Sequence, residues 1–83
     1  MIKYYYTYHA EERLKQRNIR KEEIEKALND PDSSCPGKQG ELNLLKEFPD
    51  GKRLRVVVRH EKNWTKIITV IITTVNAINN VTY

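Results

Sequence analysis

The spacing of apolar residues changes character near residue 31. Before it, Ala10 and Leu14, and then Ile24, Ala27 and Leu28, recur at the intervals that line one face of a helix. Beyond it, Leu54, Val56 and Val58 alternate with Arg53, Arg55, Val57 and Arg59, while Leu42, Leu44 and Phe48 alternate more loosely, as half-buried strands do. The pattern predicts two short helices within residues 8–28, then strands at 42–48, 52–60 and 66–74. The last of these (KIITVIITT) is β-branched enough to be a central strand with both faces buried or nearly so.

Local chemistry marks the element ends. Thr7 can accept a hydrogen bond from an unpaired amide in the first turn, so it is the predicted N-cap of the first helix. Glu11 and Glu12 near its start, and Lys15 and Arg17 near its end, suit the helix dipole. Asn18 tolerates a left-handed backbone and is the predicted stop, with Ile19 turning inward as a packing anchor. The second helix spans about residues 20–29, supported by the Glu22 and Lys26 pair, and Pro31 ends it by disfavouring helical geometry at the residue before. Pro49-Asp50-Gly51 predicts a hairpin turn, and residues 61–64 a second connection.

Three stretches stay open. Residues 2–8 are tyrosine-rich and read as a short edge strand or an extended lead-in; residues 32–41 (DSSCPGKQGE) read as a loop or an irregular edge strand; residues 75–83 keep a faint pattern that predicts partial order at best. The sum is an α+β fold: two N-terminal helices packed on one face of an antiparallel sheet of three or four strands, with residues 1–83 forming one domain.

Composition narrows the chemistry. No stretch approaches the roughly 20 apolar residues of a membrane span, and the start MIKYYYTYH lacks a secretory signal, so no membrane partner and a cytoplasmic location are expected. Cys35 stands alone and cannot form an internal disulfide; with only His9 and His60 beside it, there is no spaced zinc cluster. The expectation is no metal, no cofactor and no redox role. Lys and Arg outnumber Asp and Glu 15 to 11, a net charge of +4 that biases partners toward anions. The distribution sharpens this bias, because Lys52, Arg53, Arg55 and Arg59 gather in one segment, and His9, Arg13 and Arg17 form a row beside the Ala10 and Leu14 stripe.

The pattern His9-Ala10-x-x-Arg13-x-x-x-Arg17-x-Ile19 precedes a glutamate-rich second helix and Asn29-x-Pro31. With the later Gly51-x-x-Leu54-x-Val56-Val57-Val58 ahead of an Ile/Thr/Val-rich strand, it resembles a family of small prokaryotic domains of unknown function. That family looks like a relative of the BrnT toxins and, more distantly, of the RelE-type toxins of toxin–antitoxin systems. The resemblance covers about residues 8–74 and implies a RelE/BrnT-like fold. It also implies a metal-independent endoribonuclease toxin acting on RNA and neutralised by a cognate antitoxin protein. The chain departs from the pattern at Asn18-Ile19-Arg20, where relatives tend to have Gly-Ile-Ser, and in its unmatched tail, so no role is carried over to Tyr83.

The residues can be matched to that chemistry. Attack of a ribose 2′-hydroxyl on the adjacent phosphate needs a proton acceptor, a donor for the leaving oxygen and positive charge for the phosphorane. His9 in the first helical turn is placed for a base, Arg13 and Arg17 offer planar forks for phosphate oxygens, and Arg59 or Arg55 would complete the clamp from the sheet. Lys52 and Arg53, with Arg55, are the expected RNA-binding residues, and Trp64 either stacks a base or packs over the sheet edge. The plainer alternatives are a packing or capping histidine, arginine stems laid along the core and paired with Glu22, Glu23 or the C-terminal tail, and a solvated sheet face or an edge kept soluble by charge. Two other functional classes use the same features: a non-catalytic RNA- or protein-binding module on the basic face, and an oligomer whose strands pair across a homodimer.

Overall fold

The computed structural model describes residues 3–74. Along the chain run β1 (Lys3–Tyr6), α1 (Tyr8–Arg17), α2 (Lys21–Asn29), β2 (Ser33–Pro36), β3 (Leu42–Glu47), β4 (Lys52–His60) and β5 (Trp64–Thr74). The strands form one five-stranded sheet in the order β1-β5-β4-β3-β2. β2 to β5 pair antiparallel, and β1 lies parallel to β5, with Tyr4 opposite Thr65 and Tyr6 opposite Ile67.

This overturns the expected antiparallel sheet of three or four strands: the sheet is mixed and has five. The two added strands are edges recruited by hydrogen bonding, with little apolar periodicity of their own. All four residues of β2 are exposed, and Pro36, which has no amide to donate, is tolerated there because the strand is an edge. β1 is four residues of Lys and Tyr that alternate between exposed and half-buried, and Tyr4 and Tyr6 pack against the core. β5 is longer than expected, starting at Trp64, and one of its faces is open, with Ile71 41% exposed. The expected partial order of residues 75–83 lies outside the described residues.

Both helices lie on the sheet face that carries Leu54, Val56 and Val58. Ala10 and Leu14 of α1, Ile24 and Ala27 of α2, and Ile19 between them are buried in one cluster with Leu44, Ile67 and Val70. Ile24, Leu54, Ile67, Val56, Val58 and Val70 are the largest side chains fully enclosed. Burial of each contributes about 1.5–3 kcal/mol.

The joints follow the capping signals. Thr7 Oγ1 accepts the Ala10 amide at 3.1 Å and donates to the Ile68 carbonyl at 2.8 Å. Ile68 is the extra residue of a β-bulge, since the register passes from Val57↔Thr69 to Val58↔Ile67. One hydroxyl thus ties the start of α1 to the irregular point of β5. Asn18 closes α1 at φ 54°, which lets the Ile19 amide reach the Leu14 carbonyl at 2.9 Å. Glu23 in α2 is 6% exposed and accepts the Arg20 amide at 3.0 Å through Oε1 and the Lys52 ammonium at 2.6 Å through Oε2. Burial pushes the Glu23 carboxyl up, but hydrogen bonds from Lys52 and the Arg20 amide outweigh it and hold it below its usual value.

Candidate nucleic-acid interface

The helices need the apolar face of the sheet, which leaves the other face without a covering element among the described residues. Strand alternation decides what it presents. Arg53, Arg55, Val57 and Arg59 of β4 point there, flanked by Glu47 and Leu45 on β3 and by Thr73, Ile71 and Thr69 on β5. At one end, Arg59, Lys66 and Tyr5 are register partners across β4, β5 and β1. Tyr5 and Trp64 meet edge to face with ring centroids 5.5 Å apart. Tyr5, Trp64 and Ile71 are three of the four large hydrophobics exposed among the described residues, so the exposed apolar area concentrates on the same face as the cations.

Hydrogen bonding separates the arginines by availability. Arg53 donates from Nε and Nη2 to Glu47 Oε2 at 3.2 and 2.7 Å, which neutralises it in place. Arg59 Nη2 donates to the Gln39 carbonyl at 3.0 Å and makes no ion pair among the described residues, although its charge adds to the backbone hydrogen bonds that hold the nearby Glu41 carboxyl below its usual value. Arg55 has no side-chain partner among the described residues, and it sits between Leu45 and Ile71. Arg53 and Arg55 border a trough of about 820 Å³ that runs over Leu45, Ile71 and Thr73, with Asp32, Lys46 and Glu47 also on its walls. The trough is shallow, and of the charged side chains lining it only Arg55 makes no ion pair among the described residues.

The predicted residues therefore fall into two groups. His9, Arg13 and Arg17 lie along α1, on the helix side of the sheet; His9 and Arg17 are exposed and Arg13 half-buried. None of the three has an ion-pair or side-chain hydrogen-bond partner among the described residues. Arg59 is on the opposite face, so the sheet separates it from the helix row and the two do not form one clamp. Lys52 shares the Leu54 face and is taken up by Glu23, a structural pair at the rim of the core. Sequence reasoning named Arg53, Arg55, Arg59 and Trp64, and missed Lys66 and Tyr5. The missing signal was the register that sets them beside Arg59.

No helix among the described residues is long and apolar enough to cross a membrane. No group of three or more His, Cys, Asp or Glu among them is placed to hold a metal ion. A protein-family model described as a domain of unknown function (DUF4258) matches residues 6–72. No curated protein and no solved structure matches the chain.

Proposed function

The chain therefore belongs to the DUF4258 family, and we propose that it binds single-stranded RNA on the open face of its sheet. Arg55, Arg59 and Lys66 hold the sugar–phosphate backbone, and Trp64 and Tyr5 offer ring faces for bases to stack on. The observation that carries this reading is a sheet face, uncovered among the described residues, that combines cations in no ion pair there with exposed aromatic rings. Arg55 supplies a planar fork suited to phosphate oxygens. Fluorescence anisotropy of a short labelled single-stranded RNA tests it. Affinity should fall steeply as salt rises, and each phosphate contact removed should lower the log–log slope by about 0.7. Arg55→Glu should weaken binding, and Trp64→Ala should cost about 1–3 kcal/mol. Equal binding by wild type and Arg55→Glu would overturn the proposal.

A second reading, that the chain is an endoribonuclease toxin held in check by an antitoxin protein, is favoured by the availability of His9, Arg13 and Arg17. In it, His9 accepts the 2′-hydroxyl proton as the 2′-oxygen bonds to phosphorus, Arg13 and Arg17 stabilise the phosphorane, and the bond to the 5′-oxygen breaks with a proton supplied by water, leaving a 2′,3′-cyclic phosphate. Arg59 has no part in that step, because it lies on the other face. Induced expression of wild type beside His9→Ala and Arg17→Ala, with folding checked, decides it. Growth arrest with cleaved RNA, lost in both variants, supports the reading; arrest that survives both substitutions, or intact RNA under arrest, removes it.

A further inference from the structure

A second concavity lies on the helix side of the sheet, where β4 ends and β5 begins. It encloses about 230 Å³, with walls of Leu28, Leu42 and Leu44. Its polar lining is Tyr4, Asn29, His60 and Thr65, of which Asn29 and His60 are exposed at the rim and Thr65 is buried. Neither lysine, arginine, aspartate nor glutamate lines it among the described residues. A charged ligand would lose its hydration there with nothing to replace it, whereas a neutral ring can bury its faces against leucine and turn a polar edge to the rim. The volume is below the roughly 300–1,000 Å³ of sites for whole drug-sized ligands, which suits one ring system.

The rim has hydrogen-bonding capacity to spare. The Tyr4 hydroxyl donates to Asn29 Oδ1 at 3.3 Å, which uses one lone pair and leaves the second, together with both amide hydrogens. His60 Nδ1 lies 3.1 Å from Thr65 Oγ1, and Nε2 makes no hydrogen bond among the described residues. A carboxamide with a free donor and a free acceptor matches a ring edge that carries an acceptor next to a donor, as nucleobases do. The cavity also adjoins the proposed RNA path. Arg59 and His60 are neighbours in β4 that point to opposite faces, as Trp64 and Thr65 are in β5.

We propose that this cavity receives one base of the bound RNA, turned over the end of the sheet from the open face. The inference rests on the RNA-binding reading above. A single strand has no pairing partner to give up, so turning a base out costs little.

The test is a titration of the full chain with adenosine and uridine 5′-monophosphates and, separately, with ribose 5-phosphate. The NMR signals to follow are the methyls of Leu28, Leu42 and Leu44 and the His60 ring. A nucleotide should move them and ribose 5-phosphate should not. Asn29→Ala, at an exposed helix end, should weaken the nucleotide about tenfold. Leu42→Trp should fill the space and abolish the response, with Val56 and Val70 methyls unmoved as the check on folding. Unmoved cavity signals with both nucleotides would overturn the inference, as would an equal response to ribose 5-phosphate. If wild type binds RNA with the cavity signals unmoved, only this inference falls; if it takes nucleotides but not RNA, the RNA reading falls and takes this inference with it.

Discussion

Lys52 stands in the most basic segment of the chain, yet its replacement should cost stability and leave RNA affinity nearly intact. Its ammonium lies 2.6 Å from Glu23 Oε2, with the two side chains 23% and 7% exposed. Removing one partner of a fully buried pair costs about 3–5 kcal/mol, because the other charge is left without compensation. Partial exposure of Lys52 lets water reach the pair, so Lys52→Ala should cost about 2–3 kcal/mol. For a domain of this size each kcal/mol lowers Tm by about 4–8 °C, so the expected fall is roughly 10–20 °C. Thermal and urea unfolding followed by circular dichroism read this directly. Glu23→Gln removes the charge but keeps an oxygen for the Arg20 amide, so a Glu23→Gln, Lys52→Met double variant should recover part of the loss; the coupling in that cycle isolates the pair. A Lys52→Ala chain whose Tm stays within about 2 °C of wild type while RNA affinity drops would refute this assignment.

Three further outcomes follow from the joints of the fold. Thr7→Val removes the acceptor for the Ala10 amide and the donor to the Ile68 carbonyl, and should cost about 1–2 kcal/mol in urea unfolding, with Thr7→Ser recovering most of it. Asn18→Gly should be close to neutral, while Asn18→Val, forced to φ 54°, should cost about 1–2 kcal/mol in the same assay. Burial, with the charges of Glu25 and Glu11 adding to it, raises the Tyr6 hydroxyl from its ordinary 10.0 to about 12. Because the folded value lies above the unfolded one, this contribution is complete below pH 10.0 and is lost as pH rises toward about 12. A pH series of urea unfolding should show a decline in that window that is smaller in Tyr6→Phe.

The core strands were legible because burial on one face imposes a period of two, and Leu54, Val56 and Val58 show it without interruption. The edge strands were legible only as one of two options at residues 2–8 and 32–41, since β1 and β2 are held by pairing to β5 and β3, and backbone pairing leaves little mark on side-chain type. The face carrying Arg55 and Arg59 was readable from alternation. Its separation from the His9 row was also implicit, because helices must cover the leucine and valine face, which puts Arg59 on the far side. Lys52 belongs with Leu54 by the same rule, and its pairing with Glu23 needed only the position of α2. The cavity beside His60 could not be read from sequence, because Tyr4, Asn29, His60 and Thr65 come together only when β1 pairs parallel with β5.

Which face meets RNA is settled most directly by mapping amide chemical shifts across the labelled chain during titration with a short single-stranded RNA. Binding on the open face should move Tyr5, Arg55, Val57, Arg59, Trp64 and Lys66 at low salt, fade as salt rises, and leave Arg13, Arg17 and Ile24 in place. Shifts confined to α1, with the sheet arginines and Trp64 unmoved, would contradict it.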